Sequence, residues 1–147
     1  MIKRLIINEL IENLSFFPSV AILGPRQVGK TTAALQLGSK IEKPTHYIDL
    51  ENKQQYQIII NDADYYLRQY KDCCVIIDEV QAVPQLFTWL RPLVDAHRIP
   101  GRFVLLGSAN PVLVKGVSES LAGRIAYVEM SQINYLEIKE KYLTTIT

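Results

Sequence analysis

A glycine-bounded loop that ends in Lys-Thr is the part of this 147-residue chain whose residue types and spacing could do chemistry. In the spacing G-x-x-x-x-G-K-[ST], backbone N–H groups turn inward around a phosphate, the lysine reaches the β- and γ-phosphate oxygens, and the hydroxyl binds Mg²⁺. The next helix, expected over residues 29–37 and closed at Gly38, adds its N-terminal N–H groups. The sequence therefore predicts a nucleotide-phosphate site formed by Gly24, Pro25, Arg26, Gln27, Val28, Gly29, Lys30, Thr31 and Thr32.

Two adjacent carboxylates, Asp78 and Glu79, follow the apolar run of residues 74–77. Such a run is typical of a central parallel strand covered on both faces, and ligands bind at the carboxyl ends of such strands. We expect Asp78 to hold Mg²⁺ together with Thr31, and Glu79 to orient and deprotonate a water that attacks the γ-phosphate. The alternative is an acidic pair that only ends a strand and opens a loop.

The segments around these motifs alternate apolar strands with amphipathic helices. Strands are expected at residues 19–23, 46–50, 74–77, 102–106 and 125–130. Helices are expected at residues 2–14, 29–37, 53–70 and 84–97. We expect Asp62 to cap the second piece of a broken third helix, and Pro92 to kink or divide the fourth. This alternation predicts an α/β fold built as a doubly wound sheet.

Three polar residues in the second half of the chain are further candidates. Ser108 follows the predicted strand 102–106 and could hold the attacking water, if that strand lies between the strands of the two phosphate motifs. Asn110 could do the same, and either residue could instead cap the helix that begins near Pro111. Arg124 could enter the nucleotide site of a neighbouring subunit and stabilise transition-state charge, or it could be an exposed arginine that pairs locally.

Composition limits the classes of function. Sixteen basic and fifteen acidic residues give a net charge of +1, so a nucleic-acid partner is neither indicated nor excluded. We interpret the basic residues between positions 91 and 102 (Arg91, His97, Arg98 and Arg102) as a solvated face or as partners of a helix end. No apolar run approaches the roughly 18 residues that would span a bilayer, so we expect a cytoplasmic protein with no membrane partner.

The two cysteines, Cys73 and Cys74, are adjacent in sequence. Consecutive cysteines rarely reach disulfide geometry, and the chain offers no further cysteines for a zinc site. We interpret both as small buried strand residues in a reducing compartment. The single tryptophan, Trp89, is interpreted as a packing residue.

Six motifs together resemble the prokaryotic AAA+ predicted ATPases of the archaeal-type ATPase family. These motifs are residues 24–31, 47–51, 76–81, 90–95, 105–110 and 120–125. The resemblance implies a three-layer α/β/α P-loop core of ASCE type, with a parallel five-stranded sheet in the order 5-1-4-3-2. It also implies Walker A at residues 24–31, Walker B at Asp78 and Glu79, sensor 1 at Ser108, and Arg124 as the arginine finger of a homo-oligomer.

Members of that family usually continue after the last core strand into a large C-terminal domain, often described as nuclease-like. We therefore expect residues 1–130 to form the nucleotide-binding core and residues 131–147 to begin an absent lid or second domain. Without a lid, the core is expected to bind ATP and Mg²⁺ and to hydrolyse ATP weakly. The alternatives are a nonhydrolysing nucleotide-binding interaction module and a small-molecule P-loop kinase.

Overall fold

Five short strands alternate with five α-helices in the computed structural model, which describes residues 2–25 and 29–130, the first five of these by backbone alone. The strands are β1 Ser19–Leu23, β2 Thr45–Asp49, β3 Cys74–Asp78, β4 Phe103–Gly107 and β5 Ile125–Glu129. The helices are α1 Ile2–Phe16, α2 Lys30–Lys40, α3 Lys53–Arg68, α4 Leu86–Ala96 and α5 Pro111–Ser120. One 3₁₀ turn, Val80–Ala82, follows β3.

All strand pairs are parallel, and the strands lie in the order β2-β3-β4-β1-β5. Read from the other edge, this is the predicted order 5-1-4-3-2, which is confirmed. The three inner strands are buried along their whole length, as their uninterrupted apolar runs predict for a sheet covered on both faces. Because β4 lies between β1 and β3, the segments that follow these three strands emerge side by side.

Alternate residues of each strand face opposite layers, so the sheet has two cores. On one face, Ile77 and Leu105 belong to the cluster that includes side chains of α3, α4 and α5. On the other face, Ile76 and Val104 belong to the cluster that includes side chains of α1 and α2. The expected α/β/α layering is therefore confirmed.

Helix α2 continues past the predicted stop at Gly38 and ends at Lys40. A Cβ atom at position 38 would lie 2.8 Å from Thr45 Cγ2, at the start of β2. The glycine therefore allows a close approach between helix and strand, and its prediction as a C-cap was wrong. The residue after the helix, Ile41, has extended backbone angles and ends it.

The predicted interruptions of α3 and α4 had different outcomes. Asp62 has non-helical backbone angles within α3, and its Oδ1 accepts a hydrogen bond from Tyr65 N at 3.0 Å, which confirms the break and the cap. Helix α4 contains Pro92 and continues on both sides of it, so the proline does not divide the helix. The buried side chains Leu90, Leu93 and Val94 hold α4 against the core before and after the proline.

The buried Arg102 is the exception within the basic set that we interpreted as a solvated face. Its Nη1 donates to Leu93 O at 3.0 Å and to His97 O at 2.9 Å, which are carbonyls at the end of α4. The alternative interpretation, a partner of a helix end, therefore describes this residue.

Two smaller expectations concern Cys73, Cys74 and Trp89. Cys74 is buried in β3, whereas Cys73 is half-buried and precedes the strand, so the interpretation of Cys73 as a buried strand residue was wrong. Trp89 packs partly buried against the core, as predicted.

No helix in the described ranges is long and apolar enough to cross a membrane. Residues 131–147, which we expect to begin a lid or second domain, lie outside the described residues.

Candidate functional site

The loop after β1 lies against the carboxyl end of β4. Gly24 N donates to Gly107 O at 3.0 Å, and Met130 N, just after β5, donates to Leu23 O at 2.8 Å. A Cβ atom at Gly24 would lie 1.9 Å from Met130 O, so this approach admits only glycine. The start of the phosphate loop is therefore fixed between the ends of two strands.

Gly29 ends the loop and stands directly before α2. Its φ of 92° lies in the left-handed region, where glycine carries no steric penalty, and Ala33 N donates to its carbonyl at 2.9 Å. The N-terminal N–H groups of α2 thus begin where the loop finishes, as the motif predicts. Arg26, Gln27 and Val28 lie outside the described residues.

Lys30 opens α2 and is buried, with 8% of its surface exposed. Its Nζ donates to Gly24 O at 2.5 Å and to Pro25 O at 2.8 Å. The ammonium group is therefore held against the backbone carbonyls at the start of the loop rather than extended into solvent. A cation in this position can donate to phosphate oxygens that bind beside these carbonyls.

Thr31 and Asp78 bring the two predicted motifs together. Thr31 Oγ1 donates to Asp78 Oδ2 at 2.9 Å, although 47 positions separate the residues. Asp78 is 5% exposed at the end of β3, and its Oδ1 accepts from Glu79 N at 2.9 Å. The hydroxyl of Thr31 at the start of α2 and the carboxylate of Asp78 at the end of β3 are thus in hydrogen-bond contact beside the loop.

Glu79 follows β3 with φ 58° and ψ 48°, and no other non-glycine residue in the described ranges has a positive φ. Its Oε2 accepts a hydrogen bond from Gln81 Nε2. Gln81 Oε1 in turn accepts from Ser108 N at 3.4 Å, a long contact to the residue after β4. The ends of β3 and β4 are therefore joined through one side-chain amide.

The sequence offers both Asn110 and Ser108 as caps of the helix that begins at Pro111. Asn110 Oδ1 accepts from Leu113 N at 2.7 Å, so Asn110 is the cap of α5. Its Nδ2 donates to Ser108 Oγ at 3.0 Å. Ser108 is thus hydrogen-bonded to the residue that caps α5. It directly follows β4, the strand that lies between β1 and β3.

A family model described as "AAA domain" matches residues 17–139. The chain belongs to this AAA domain family. The resemblance to AAA+ P-loop ATPases drawn from the six motifs is therefore confirmed, and with it a nucleotide-binding, ATPase-like class of function.

Two curated relatives of this AAA domain are the uncharacterized proteins Mb2031c of Mycobacterium bovis and Rv2008c of Mycobacterium tuberculosis. Each is 41% identical to it over 122 residues, which are 82% of this chain and 26% of the relative. The chain thus spans about a quarter of the length of the curated relatives that it matches.

The donor atoms of Thr31 and Asp78 suit the Mg²⁺ ion that AAA domains use with ATP. Mg²⁺ takes hard oxygen ligands and is bound through one or two carboxylates, with water and substrate phosphates completing its shell. The described ranges hold no group of three or more His, Cys, Asp or Glu side chains that could form an all-protein cage. One hydroxyl and one buried carboxylate oxygen, 2.9 Å apart, fit an ion that shares its shell with a nucleotide.

Sequence reasoning missed Tyr47, which lies on β2 beside the Asp78 strand. Its hydroxyl donates to Asp78 Oδ2, the same oxygen that accepts from Thr31. Burial and this hydrogen bond to the carboxylate raise the pKa of Tyr47 well above its ordinary value. Tyr47 belongs to one of the motifs on which the family resemblance rests, but nothing in that motif indicates that Tyr47 donates a hydrogen bond to Asp78.

Arg124 is not brought to this site within its own chain. Ser19 N donates to Arg124 O, which places Arg124 at the amino end of β5, across the sheet from the loop. Its guanidinium donates to Asp95 Oδ1 at 2.7 Å and Oδ2 at 3.0 Å, and to Ala122 O. These hydrogen bonds hold the pKa of Asp95 below its ordinary value.

Proposed function

We propose that this AAA domain binds ATP together with Mg²⁺ and hydrolyses the bond to the γ-phosphate. The observation that carries the proposal is the hydrogen bond between Thr31 and Asp78, because it puts the ends of the two phosphate motifs in contact. The two motifs lie on separate segments, so a ligand that uses both of them must span the two segments. A triphosphate with its metal ion is such a ligand.

The nucleotide is proposed to bind through the loop and the start of α2. Phosphate oxygens accept from loop N–H groups and from Lys30, which exchanges the carbonyls of Gly24 and Pro25 for the anion. Thr31 and Asp78 hold Mg²⁺, which when bound neutralises charge that develops on the phosphates. Because Lys30 Nζ already lies at the start of the loop, the exchange changes its partners and does not require the side chain to come in from solvent.

Glu79 is proposed as the general base of hydrolysis. It accepts a proton from the attacking water as the bond from water oxygen to the γ-phosphorus forms and the bond to the β-phosphate oxygen breaks. Ser108 lies at the end of the strand between the two motifs, where its hydroxyl can hold that water. The base and the water-holding group would then act from neighbouring strand ends.

Arg124 is proposed to act in a homo-oligomer, on the nucleotide of a neighbouring copy. Within its own chain it pairs with Asp95 and lies across the sheet from the loop, so any contact with phosphate must come from another subunit. Its side chain is 20% exposed. A role in trans therefore requires the guanidinium to leave Asp95 or to reach past it.

Phosphate release by a Glu79→Gln variant tests the proposed hydrolysis. We expect turnover to fall by roughly two orders of magnitude or more while ATP affinity stays within about twofold, because the amide cannot accept the proton. Glu42→Gln, in the connection before β2, is the matched control and should hydrolyse like the parent. Full turnover by Glu79→Gln would remove Glu79 as the base, and loss of affinity would show that its role lies in binding.

A further inference from the structure

The side-chain amide of Gln81 joins two groups that the proposed hydrolysis uses separately. Its Nε2 donates to Glu79 Oε2, and its Oε1 accepts from Ser108 N at 3.4 Å. One planar group therefore connects the residue that follows β3 with the residue that follows β4. A planar amide fixes the direction of both hydrogen bonds at once, because its two ends turn together.

Gly107, the last residue of β4, makes this bridge possible. A Cβ atom there would lie 2.8 Å from Gln81 Oε1 and 2.8 Å from Val80 Cγ2. Any larger residue would therefore push the carboxamide away from the strand end. The absence of a side chain at position 107 thus leaves the room that the contact of Gln81 with the end of β4 needs.

The backbone at Glu79 serves the same arrangement. Its left-handed conformation turns the chain sharply after β3 and leads into the 3₁₀ turn Val80–Ala82, which carries Gln81. A non-glycine residue keeps this disfavoured conformation only where its surroundings hold it there. Within the described residues, the amide of Gln81 holds the Glu79 side chain at Oε2.

We propose that Gln81 is a positioning residue, which orients the Glu79 carboxylate and ties it to the end of β4 at Ser108. This inference rests on the proposed function, in which Glu79 is the base. With Oε2 engaged by the amide, Oε1 is the oxygen left to accept from the attacking water. A displacement of Ser108 when a γ-phosphate binds beside it is transmitted to Glu79 through this amide.

Two substitutions of Gln81 separate the two hydrogen bonds. Gln81→Ala removes both of them. Gln81→Glu keeps an oxygen that can accept from Ser108 N but loses the N–H group that donates to Glu79, and it sets a second carboxylate beside the first. Gln85→Ala is the matched control, because Gln85 is an exposed glutamine at the start of α4 whose side chain makes no capping hydrogen bond.

Amide hydrogen exchange at Ser108, followed by NMR on the unliganded chain, tests the tie without any turnover. We expect Gln81→Ala to speed exchange of this amide at least severalfold, and Gln81→Glu and Gln85→Ala to leave it near the parent rate. Unchanged exchange in Gln81→Ala would overturn the tie between Gln81 and β4. The exchange experiment measures the hydrogen bond between Gln81 and Ser108 even if the chain releases no phosphate. Its outcome is therefore separate from that of the proposed hydrolysis.

Single-turnover ATP hydrolysis tests the orientation of Glu79. We expect both Gln81 variants to lower the rate roughly tenfold to a hundredfold with ATP affinity within about twofold of the parent, because the base is present but misplaced. A mere packing role predicts instead that Gln81→Met, which keeps the length and the neutrality of the side chain without its hydrogen bonds, hydrolyses like the parent. That result would overturn the proposal, whereas a parent without hydrolysis would overturn the proposed function itself.

Discussion

Thr31 Oγ1 and Asp78 Oδ2 lie 2.9 Å apart and join the start of α2 to the end of β3. Asp78 also accepts from Tyr47 and from Glu79 N, so its carboxylate is held by neutral donors on three segments of the chain. This carboxylate is therefore positioned before any cation arrives.

Asp78→Asn should weaken ATP binding only when Mg²⁺ is present. The amide keeps the size of the side chain but is a poor magnesium ligand, so we expect a roughly tenfold to hundredfold loss of affinity for Mg·ATP. Binding of ATP in excess chelator should change little. Isothermal titration with and without Mg²⁺ measures both values, and Asp72→Asn, at an exposed position, is the control. Equal losses in the two titrations would contradict a metal role for Asp78.

Glu79→Gly should be more stable than Glu79→Ala, by about 1 kcal/mol. Both variants lose the hydrogen bond from Gln81, but only glycine adopts φ 58° without steric cost. Urea denaturation of the two variants measures the difference in unfolding free energy. Equal midpoints would show that the left-handed conformation at this position is not retained in solution.

Gly24→Ala should unfold the chain or cost more than about 3 kcal/mol, because its Cβ would meet Met130 O at 1.9 Å and a backbone atom cannot turn aside. Gly116→Ala, within α5, is the matched control. Its Cβ would make an ordinary 3.7 Å contact with Phe87, so the usual helical gain of about 0.5–1 kcal/mol is expected. Thermal unfolding measures both. A stable Gly24→Ala variant would contradict the approach of the loop to residue 130.

His46 should make the chain less stable in acid. Its ring stacks on Tyr70 at 3.8 Å and its Nε2 lies 2.8 Å from Tyr66 OH, and burial lowers its pKa below the ordinary 6.5. The unfolded chain therefore takes up this proton more readily than the folded chain. The stabilising difference is present above about pH 6.5 and is lost as the pH falls towards the folded-state pKa.

Urea midpoints at pH 7.5 and pH 5.5 test this dependence. His46→Gln removes the titrating ring, so the variant should lose less stability between the two pH values than the parent loses. Tyr65→Phe, at an exposed position on α3, is a control that should keep the parent's pH dependence. A variant at position 46 that loses as much stability in acid as the parent would contradict the assignment.

Local patterns in the sequence predict the parallel strands and the meeting of the two phosphate motifs, whereas the strand order was implied by the family resemblance. Uninterrupted apolar runs mark the inner strands, and parallel strands bring their carboxyl ends to one edge of the sheet.

Contacts between side chains of different segments could not be predicted in the same way. Gly38 looked like a helix stop because the approach of Thr45 is visible only once α2 and β2 are packed together. Tyr47 and Gln81 carry ordinary side chains whose partners, Asp78 and Ser108, depend on rotamers and on the turn after β3. Local sequence patterns determine which segments form helices and strands, whereas the hydrogen-bond partners of Tyr47 and Gln81 depend on how those segments pack together.

Binding of Mg·ATP to the Lys30→Ala variant tests the central claim most directly. Lys30 is the cation held within the loop, and Lys40→Ala, at the exposed end of the same helix, is the control. Isothermal titration should show a loss of affinity of roughly tenfold or more for Lys30→Ala and none for Lys40→Ala, because a charge-assisted contact to phosphate is removed. Equal affinity in the parent and in Lys30→Ala would contradict the phosphate site and the function proposed from it.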